Sequence, residues 1–193
     1  MYLFFDTETT GLPKNWKAPV TDLDNWPRLV QLAYLLADSE GNKISGGDFI
    51  IKPAGFTIPD ESAQIHGIST ERAGKEGADL LGVLQDFYAA IEKAQYLVAH
   101  NISFDEKIMG AELLRNEMPD ILPTKQKICT MQNATDFCAI SGPYGYKWPR
   151  LTELHHKLFR EDFEESHNAA ADMKATIKCF WELKRLGIIK DKI

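Results

Sequence analysis

The chain has 193 residues, 44% apolar and 26% charged, which is the balance of an ordinary soluble globular protein with a sizeable core. That excludes a disordered tail, a collagen-like repeat and a disulfide miniprotein, and at about 150 residues per domain it points to one domain over 1–193. The net charge of −6 argues against a broad basic groove that holds DNA by phosphate contacts alone, although residues 125–150 are locally basic through Lys125, Lys127, Lys147 and Arg150.

The first strand is read over Tyr2–Asp6, an apolar run that ends on an acid. Pro13–Pro27 follows as a long loop. Val30–Leu36 and Ile44–Lys52 read as two strands joined at Gly41-Asn42, so they should form an antiparallel hairpin. The run Leu32–Ala37 is the longest unbroken apolar stretch, six residues against the ~20 of a membrane span, so no membrane partner is expected. From Ala78 the period becomes helical, with Leu80, Leu81, Leu84, Phe87, Tyr88 and Ile91 on one stripe. Tyr96–Ala99 is a short buried strand. A helix follows from Ser103 to Asn116, its start placed by the capping-box spacing of Ser103 and Glu106. Lys127–Cys129 reads as the last strand, with a helix from Thr130, a loop over Gly142–Pro149, and a final helix from Asn168 to Leu186. In that helix Met173, Ile177, Phe180 and Trp181 mark the buried face. The expected fold is α/β: a five-stranded mixed sheet with an N-terminal antiparallel meander and flanking helices. Three cysteines without a CxxC, and an N-terminus lacking a basic lead before Asp6, point to a reducing, cytoplasmic setting. The sequons at Asn101 and Asn133 are then chance matches.

Acids at element ends carry the chemical signal. In an extended chain, side chains at i and i+2 share a face, so Asp6 and Glu8 can grip one cation. With 28 acids in 193 residues about four acid-x-acid pairs are expected by chance, so the spacing alone is weak. Asp22/Asp24, Asp38/Glu40 and Asp162/Glu164 read as solvated surface, whereas Asp6/Glu8 stands at the end of an apolar strand before the Thr9-Thr10-Gly11 turn. Asp105 falls in the first turn of a helix after a buried strand, where an acid suits the helix dipole whether or not it has a function. Asp172 sits ~100° from Met173, on the edge of the buried face. His167 is ~140° from Asp172 on one ideal helix, so the two converge only if His167 lies in the preceding loop. His155 and His156, adjacent on a helix, read as surface or half-buried residues. His100 has two readings, a satisfied core histidine or a substrate contact. Gly142–Arg150 mixes aromatic and basic residues, as a nucleic-acid contact loop or a plain packing loop would.

Four ordered segments, Asp6-Thr-Glu8-Thr-Thr-Gly-Leu12, Ile65-His-Gly-Ile68, Ala99-His-Asn-Ile-Ser-Phe-Asp105 and His167-Asn-Ala-Ala-Ala-Asp172, resemble the motifs of the DEDDh 3′→5′ exonucleases. This is the family of the proofreading subunit of bacterial DNA polymerase III, in the ribonuclease-H-like superfamily. The family often has Asp where this chain has Cys129, a position outside the metal acids. The resemblance implies a ribonuclease-H-like fold and two divalent ions, Mg²⁺ or Mn²⁺, held by Asp6, Glu8, Asp105 and Asp172. It implies His167 as general base, and substrate contacts at Thr9, Leu12, Ile65, His66, His100, Asn101 and Phe104.

Chemistry agrees with that set. Hydrolysing a phosphodiester takes an activated water in line with the leaving oxygen and positive charge on the phosphate, which two cations ~3.5–4 Å apart supply. Hard cations take oxygen ligands, hence carboxylates without Cys or His. The expected function is release of nucleoside 5′-monophosphates from single-stranded or frayed 3′ ends of DNA. The alternatives are 3′ ends of RNA as substrate, and a subunit whose main role is to bind a DNA polymerase.

Overall fold

Alternation along the first strand sorts its side chains into two layers. The computed structural model describes residues 1–163 and 167–190. In it β1 (Tyr2–Thr9) is the centre of a five-stranded sheet with β2 (Leu29–Ala37), β3 (Lys43–Ile50), β4 (Tyr96–Ala99) and β5 (Gln126–Cys129), ordered β3-β2-β1-β4-β5. β1 pairs antiparallel with β2 and parallel with β4; β2–β3 is antiparallel and β4–β5 parallel. The expected mixed sheet with an antiparallel N-terminal meander is therefore present. The β2–β3 turn is closed by Asp38, whose Oδ1 accepts from the backbone of Glu40 and Asn42, with Gly41 at φ 90°.

Odd-numbered residues of β1 face one layer. Leu3 and Phe5 are fully buried with α3 (Leu80–Lys93) and α4 (Ile102–Arg115), and the Phe5 and Phe87 rings lie 5.4 Å apart. Even-numbered residues face α8 (Ala169–Arg185), where Phe4 and Phe180 meet edge-on at 5.1 Å. Truncating a fully buried Phe of this kind to Ala costs about 3–5 kcal/mol. The same alternation carries Asp6 and Glu8 onto the α8 face just as the apolar residues run out.

Several expectations need correction. The first three strands run one to three residues longer or shorter than read. The Ser103/Glu106 capping box does not form: Asn101, in the left-handed region at φ 67°, precedes the helix, and Ser103 Oγ donates to the Asn101 side chain. Glu106 instead pairs with Lys127 at 2.5 Å. The helix from Thr130 is broken into α5 (Thr130–Asn133) and α6 (Thr135–Cys138). The 142–149 loop contains a small hairpin of β6 (Ser141–Gly142) and β7 (Gly145–Tyr146). Two helices lie where none was read, α1 (Asp60–His66) and α2 (Thr70–Glu76), while the helix on which His155 and His156 were read is α7 (Leu151–Phe159). His155 in α7 is buried against Phe159 and Phe163, while His156 is exposed beside Asp162. Glu164, the second member of the Asp162/Glu164 pair, lies outside the described residues. Among the described residues no helix is long and apolar enough to cross a membrane.

Candidate active site

Three carboxylates meet past the last apolar turn of β1. One oxygen from each of Asp6, Glu8 and Asp172 lies within 4.8 Å of the others. Asp6 and Glu8 share the strand face that α8 covers, and Asp172 sits in the first turn of α8. The fourth acid arrives from the opposite layer. Asp105, buried in the first turn of α4, accepts from the Thr7 backbone N–H at 3.0 Å and the Thr7 hydroxyl at 2.8 Å. Thr7 lies between Asp6 and Glu8 and points to the α4 side, so one strand end holds acids from both layers.

His167 does precede the helix. It occupies a turn at φ 71°, followed by Asn168, whose side chain caps α8 by accepting from Ala170 and Ala171. The His167 backbone N–H donates to Asp172 Oδ2 at 3.0 Å, so His167 and Asp172 do converge.

Crowding makes these acids reluctant to ionise without a cation. Burial, then the charges of Asp105, Asp172 and Glu8, push the Asp6 carboxyl well above its usual range. Glu8 is pushed up to about 8 by burial and by Asp172 and Asp105. Asp105 rises to about 7 through burial, held back by the Thr7 hydrogen bonds. Asp172 rises through burial, held back by the His167 N–H and imidazole.

Beside the acids lies a cleft of about 230 Å³ lined by Thr7, Glu8, Thr9, Leu12, Ile65, His66 and Phe104, with Gly11 and Ser62. Five residues read as substrate contacts thus converge on it: Thr9, Leu12, Ile65, His66 and Phe104. Leu12 and Ile65 are exposed, an uncommon position for large apolar side chains placed side by side. His66 is buried; its Nδ1 accepts from Ile68 N–H at 3.2 Å, and among the described residues its Nε2 has no partner in hydrogen-bonding geometry, although the Thr9 backbone is near enough to act on the ring. Trp16, not singled out by sequence, packs its ring 5.7 Å from Phe104 and extends the cleft wall.

His100 and Asn101 do not join the cleft. His100 Nδ1 lies 3.0 Å from Thr130 Oγ1 and Nε2 3.0 Å from the Pro149 carbonyl, so both ring nitrogens are engaged by protein. Burial lowers its pKa to about 4, which keeps the ring neutral. The core-histidine reading is the one that fits, and the substrate-contact reading of His100 is withdrawn. Asn101 acts as the left-handed entry to α4.

Residues 3–180 match the exonuclease family RNase_T. The chain belongs to this exonuclease family. It is of the DEDDh type, in the ribonuclease-H-like superfamily. It is 31% identical over 175 residues to a DNA polymerase III PolC-type of Lactococcus lactis subsp. lactis, an alignment covering 91% of this chain and 9% of that protein. The chain therefore spans about a tenth of the curated relatives it matches. Its fold is similar to E. coli Exonuclease I in complex with a dT13 oligonucleotide, with a TM-score of 0.72, 20% identity, and coverage of 96% of this chain and 42% of that one. A zinc-bound form of the E. coli ExoI–ssDNA complex gives a TM-score of 0.73 at 23% identity, covering 95% and 40%.

The donor set of this exonuclease-family site fits a hard divalent cation. It is all carboxylate oxygen, with no Cys or His among the three clustered ligands. With one oxygen of each within 4.8 Å of the others, Asp6, Glu8 and Asp172 are the residues that would hold such an ion between them.

Sequence reasoning missed the residues that hold the acids. Gln31, directly across from Glu8 in the β1–β2 register, is buried. Its Oε1 accepts from Ala169 N–H at 3.2 Å, the first residue of α8, and its Nε2 donates to Asp48 at 2.7 Å. It thus ties the α8 start, and with it Asp172, to β2, beside the strand carrying Glu8. The available signal was a lone amide inside the apolar run of β2, since a buried polar residue is more informative than a buried apolar one. Gln31→Leu is expected to lower stability by about 1–3 kcal/mol, because it leaves the Ala169 N–H unpaired in a buried setting. It should also weaken cation-induced stabilisation, as read by thermal unfolding with and without Mn²⁺. Glu112 does similar work below the 13–27 loop. It is fully buried and accepts from Arg28 Nε at 2.8 Å, Arg115 Nη1 at 2.8 Å and Leu29 N–H at 3.1 Å. Arg115 in turn donates to the carbonyls of Leu23 and Trp26, both at 2.6 Å.

Proposed function

We propose that this chain, as one domain over 1–193, is a 3′→5′ exonuclease that releases nucleoside 5′-monophosphates from single-stranded or frayed 3′ ends of DNA. The observation that carries this reading is the convergence of Asp6, Glu8, Asp105 and Asp172 beside an apolar and aromatic cleft. Bound at those acids, two Mg²⁺ or Mn²⁺ ions would supply positive charge to the phosphate oxygens and lower the pKa of water. The protein's own groups do the rest. Asp6, Glu8 and Asp172 hold the cations, and Asp105, fixed by Thr7, supports them from the α4 side. His167 takes a proton from the attacking water, since an imidazole needs little tuning to accept near neutral pH. Leu12 and Ile65 wedge against the terminal bases and Phe104, backed by Trp16, stacks on them. The DNA preference draws on the oligonucleotide held by the structural neighbour, and the PolC-type relatives make a polymerase the candidate partner.

The test uses 3′- and 5′-labelled single-stranded, paired and mismatched DNA, and RNA, each with Mg²⁺, Mn²⁺ or chelator. A blocked 3′ end should stop digestion and a blocked 5′ end should not. Paired ends should be cut more slowly than frayed ones, because unstacking the last bases costs a few kcal/mol. Cutting of a circular single strand, or full activity in chelator, overturns the reading. Faster turnover of RNA replaces DNA as the substrate, and no turnover by the free chain favours the polymerase-binding role.

A further inference from the structure

The hairpin at 141–150 exposes more aromatic surface than a packing loop should. Tyr144 at its tip is fully exposed, Tyr146 is 56% exposed and Trp148 61%. Tyr146 and Trp148 are two apart on an extended segment and so share a face, while Lys147 between them turns the other way to pair with Glu153 at 2.6 Å. Among the described residues none of the three rings stacks on another ring.

The hairpin is anchored rather than loose. Lys147 N–H donates to the Ile140 carbonyl at 2.9 Å, Arg150 N–H to Glu153 Oε2 at 2.7 Å, and His100 Nε2 lies 3.0 Å from the Pro149 carbonyl. Three large aromatics held outward on a fixed base call for an occupant.

We propose that this hairpin is a second stacking surface for the nucleic-acid strand, holding bases a few nucleotides back from the 3′ end at the acid cluster. The proposal rests on the exonuclease reading. Continuity favours nucleobases: His100, which grips the residue after Trp148, is followed by Asn101 at the entry of α4, and Phe104 in the first turn of α4 lines the cleft. The contact of His100 Nε2 with the Pro149 carbonyl sets the hairpin base against the C-terminal end of β4, and β4 pairs with β1, the strand that carries Asp6 and Glu8. Charge agrees, since this stretch is locally basic in an acidic chain and Arg150 is exposed. Lys147 is neutralised by Glu153, so stacking rather than ion pairing carries the contact.

The test compares wild type with Tyr146→Ala/Trp148→Ala on dT3, which ends before the bases assigned to the hairpin, and on dT12. The expected result is a KM for dT12 raised about 10- to 100-fold, the worth of one or two lost base stacks. Turnover number and dT3 kinetics should stay as in wild type, and Tyr146→Phe/Trp148→Phe should restore the KM. The ratio should change little between low and high salt, because no phosphate contact is removed. An unchanged dT12 KM overturns the proposal and leaves the rings to a protein partner; equal losses on dT3 and dT12 overturn it in favour of a structural role. Wild-type turnover reports on the exonuclease reading separately. Should wild type hydrolyse neither substrate, quenching of tryptophan fluorescence by dT12 decides: quenching lost in the Ala variant supports the stacking surface, and its absence in wild type overturns it.

Discussion

Asp6→Asn is expected to abolish hydrolysis while making the metal-free protein more stable than wild type. Asp6 is the acid on which the other three bear: burial raises its pKa first, then Asp105, Asp172 and Glu8 add to it. Replacing its carboxyl by an amide of the same shape removes a cation ligand and relieves that repulsion at once. The pH dependence follows from the sign of the shifts. A carboxyl whose folded pKa is raised holds its proton more tightly folded than unfolded, so its stabilisation is full below the unfolded value near 4 and is lost as pH climbs through the folded value. For Glu8 that loss extends to about 8 and for Asp105 to about 7. Half-buried His100, whose folded pKa is lowered to about 4, acts oppositely, but only up to about pH 6.5. Between pH 6.5 and 8, therefore, chelated wild type should lose on the order of 2–4 kcal/mol of stability. Saturating Mn²⁺ should flatten that slope by mass action, and Asp6→Asn should reduce it without metal. Urea unfolding at several pH values, in chelator and in Mn²⁺, measures both. A flat profile in chelator, or measurable turnover by Asp6→Asn, would remove the acid cluster from the mechanism.

Local periodicity made much of this architecture legible. The two-residue period of β1 put Asp6 and Glu8 on one face, and the helical period placed Asp172 at the edge of a buried stripe with His167 outside the helix; the structure has both arrangements. Contacts across the chain left no such trace. Thr7 reaches Asp105 over 98 positions, Gln31 reaches Ala169 over 138, and Arg28 reaches Glu112 over 84. Nothing in a local window pairs them, although each leaves a polar residue inside an apolar element. Where spacing misled, backbone conformation was the reason. Ser103 and Glu106 have capping-box spacing, but the left-handed Asn101 starts the helix one residue early, so Ser103 is already inside it. His100 sits within a motif that suggests substrate contact, yet Thr130 and Pro149 engage its ring, and only the assembled sheet edge brings those two residues to it.

His167→Ala is expected to lower the rate constant by roughly 10²–10⁴, the usual worth of a positioned general base, while cation-induced stabilisation stays intact. The two effects separate because different parts of the residue are involved. It is the backbone N–H of His167 that donates to Asp172 Oδ2, and any residue in the same turn keeps that bond. No hydrogen bond engages the imidazole among the described residues, so its removal costs the acid cluster no hydrogen bond. The turn itself needs a control. At φ 71° a non-glycine residue is strained, and Asn tolerates that conformation better than Ala, so His167→Asn should show the same catalytic loss with less effect on folding. The acidic limb of the pH–rate profile should flatten in both variants, because an imidazole that already carries its proton cannot accept another, and the variants have no such group to lose. Acid also protonates the carboxylates and releases cations, so each point is taken at a Mn²⁺ concentration shown to saturate at that pH. Near-wild-type turnover in both variants with an unchanged acidic limb would make His167 a backbone support for Asp172 and leave the proton transfer to solvent.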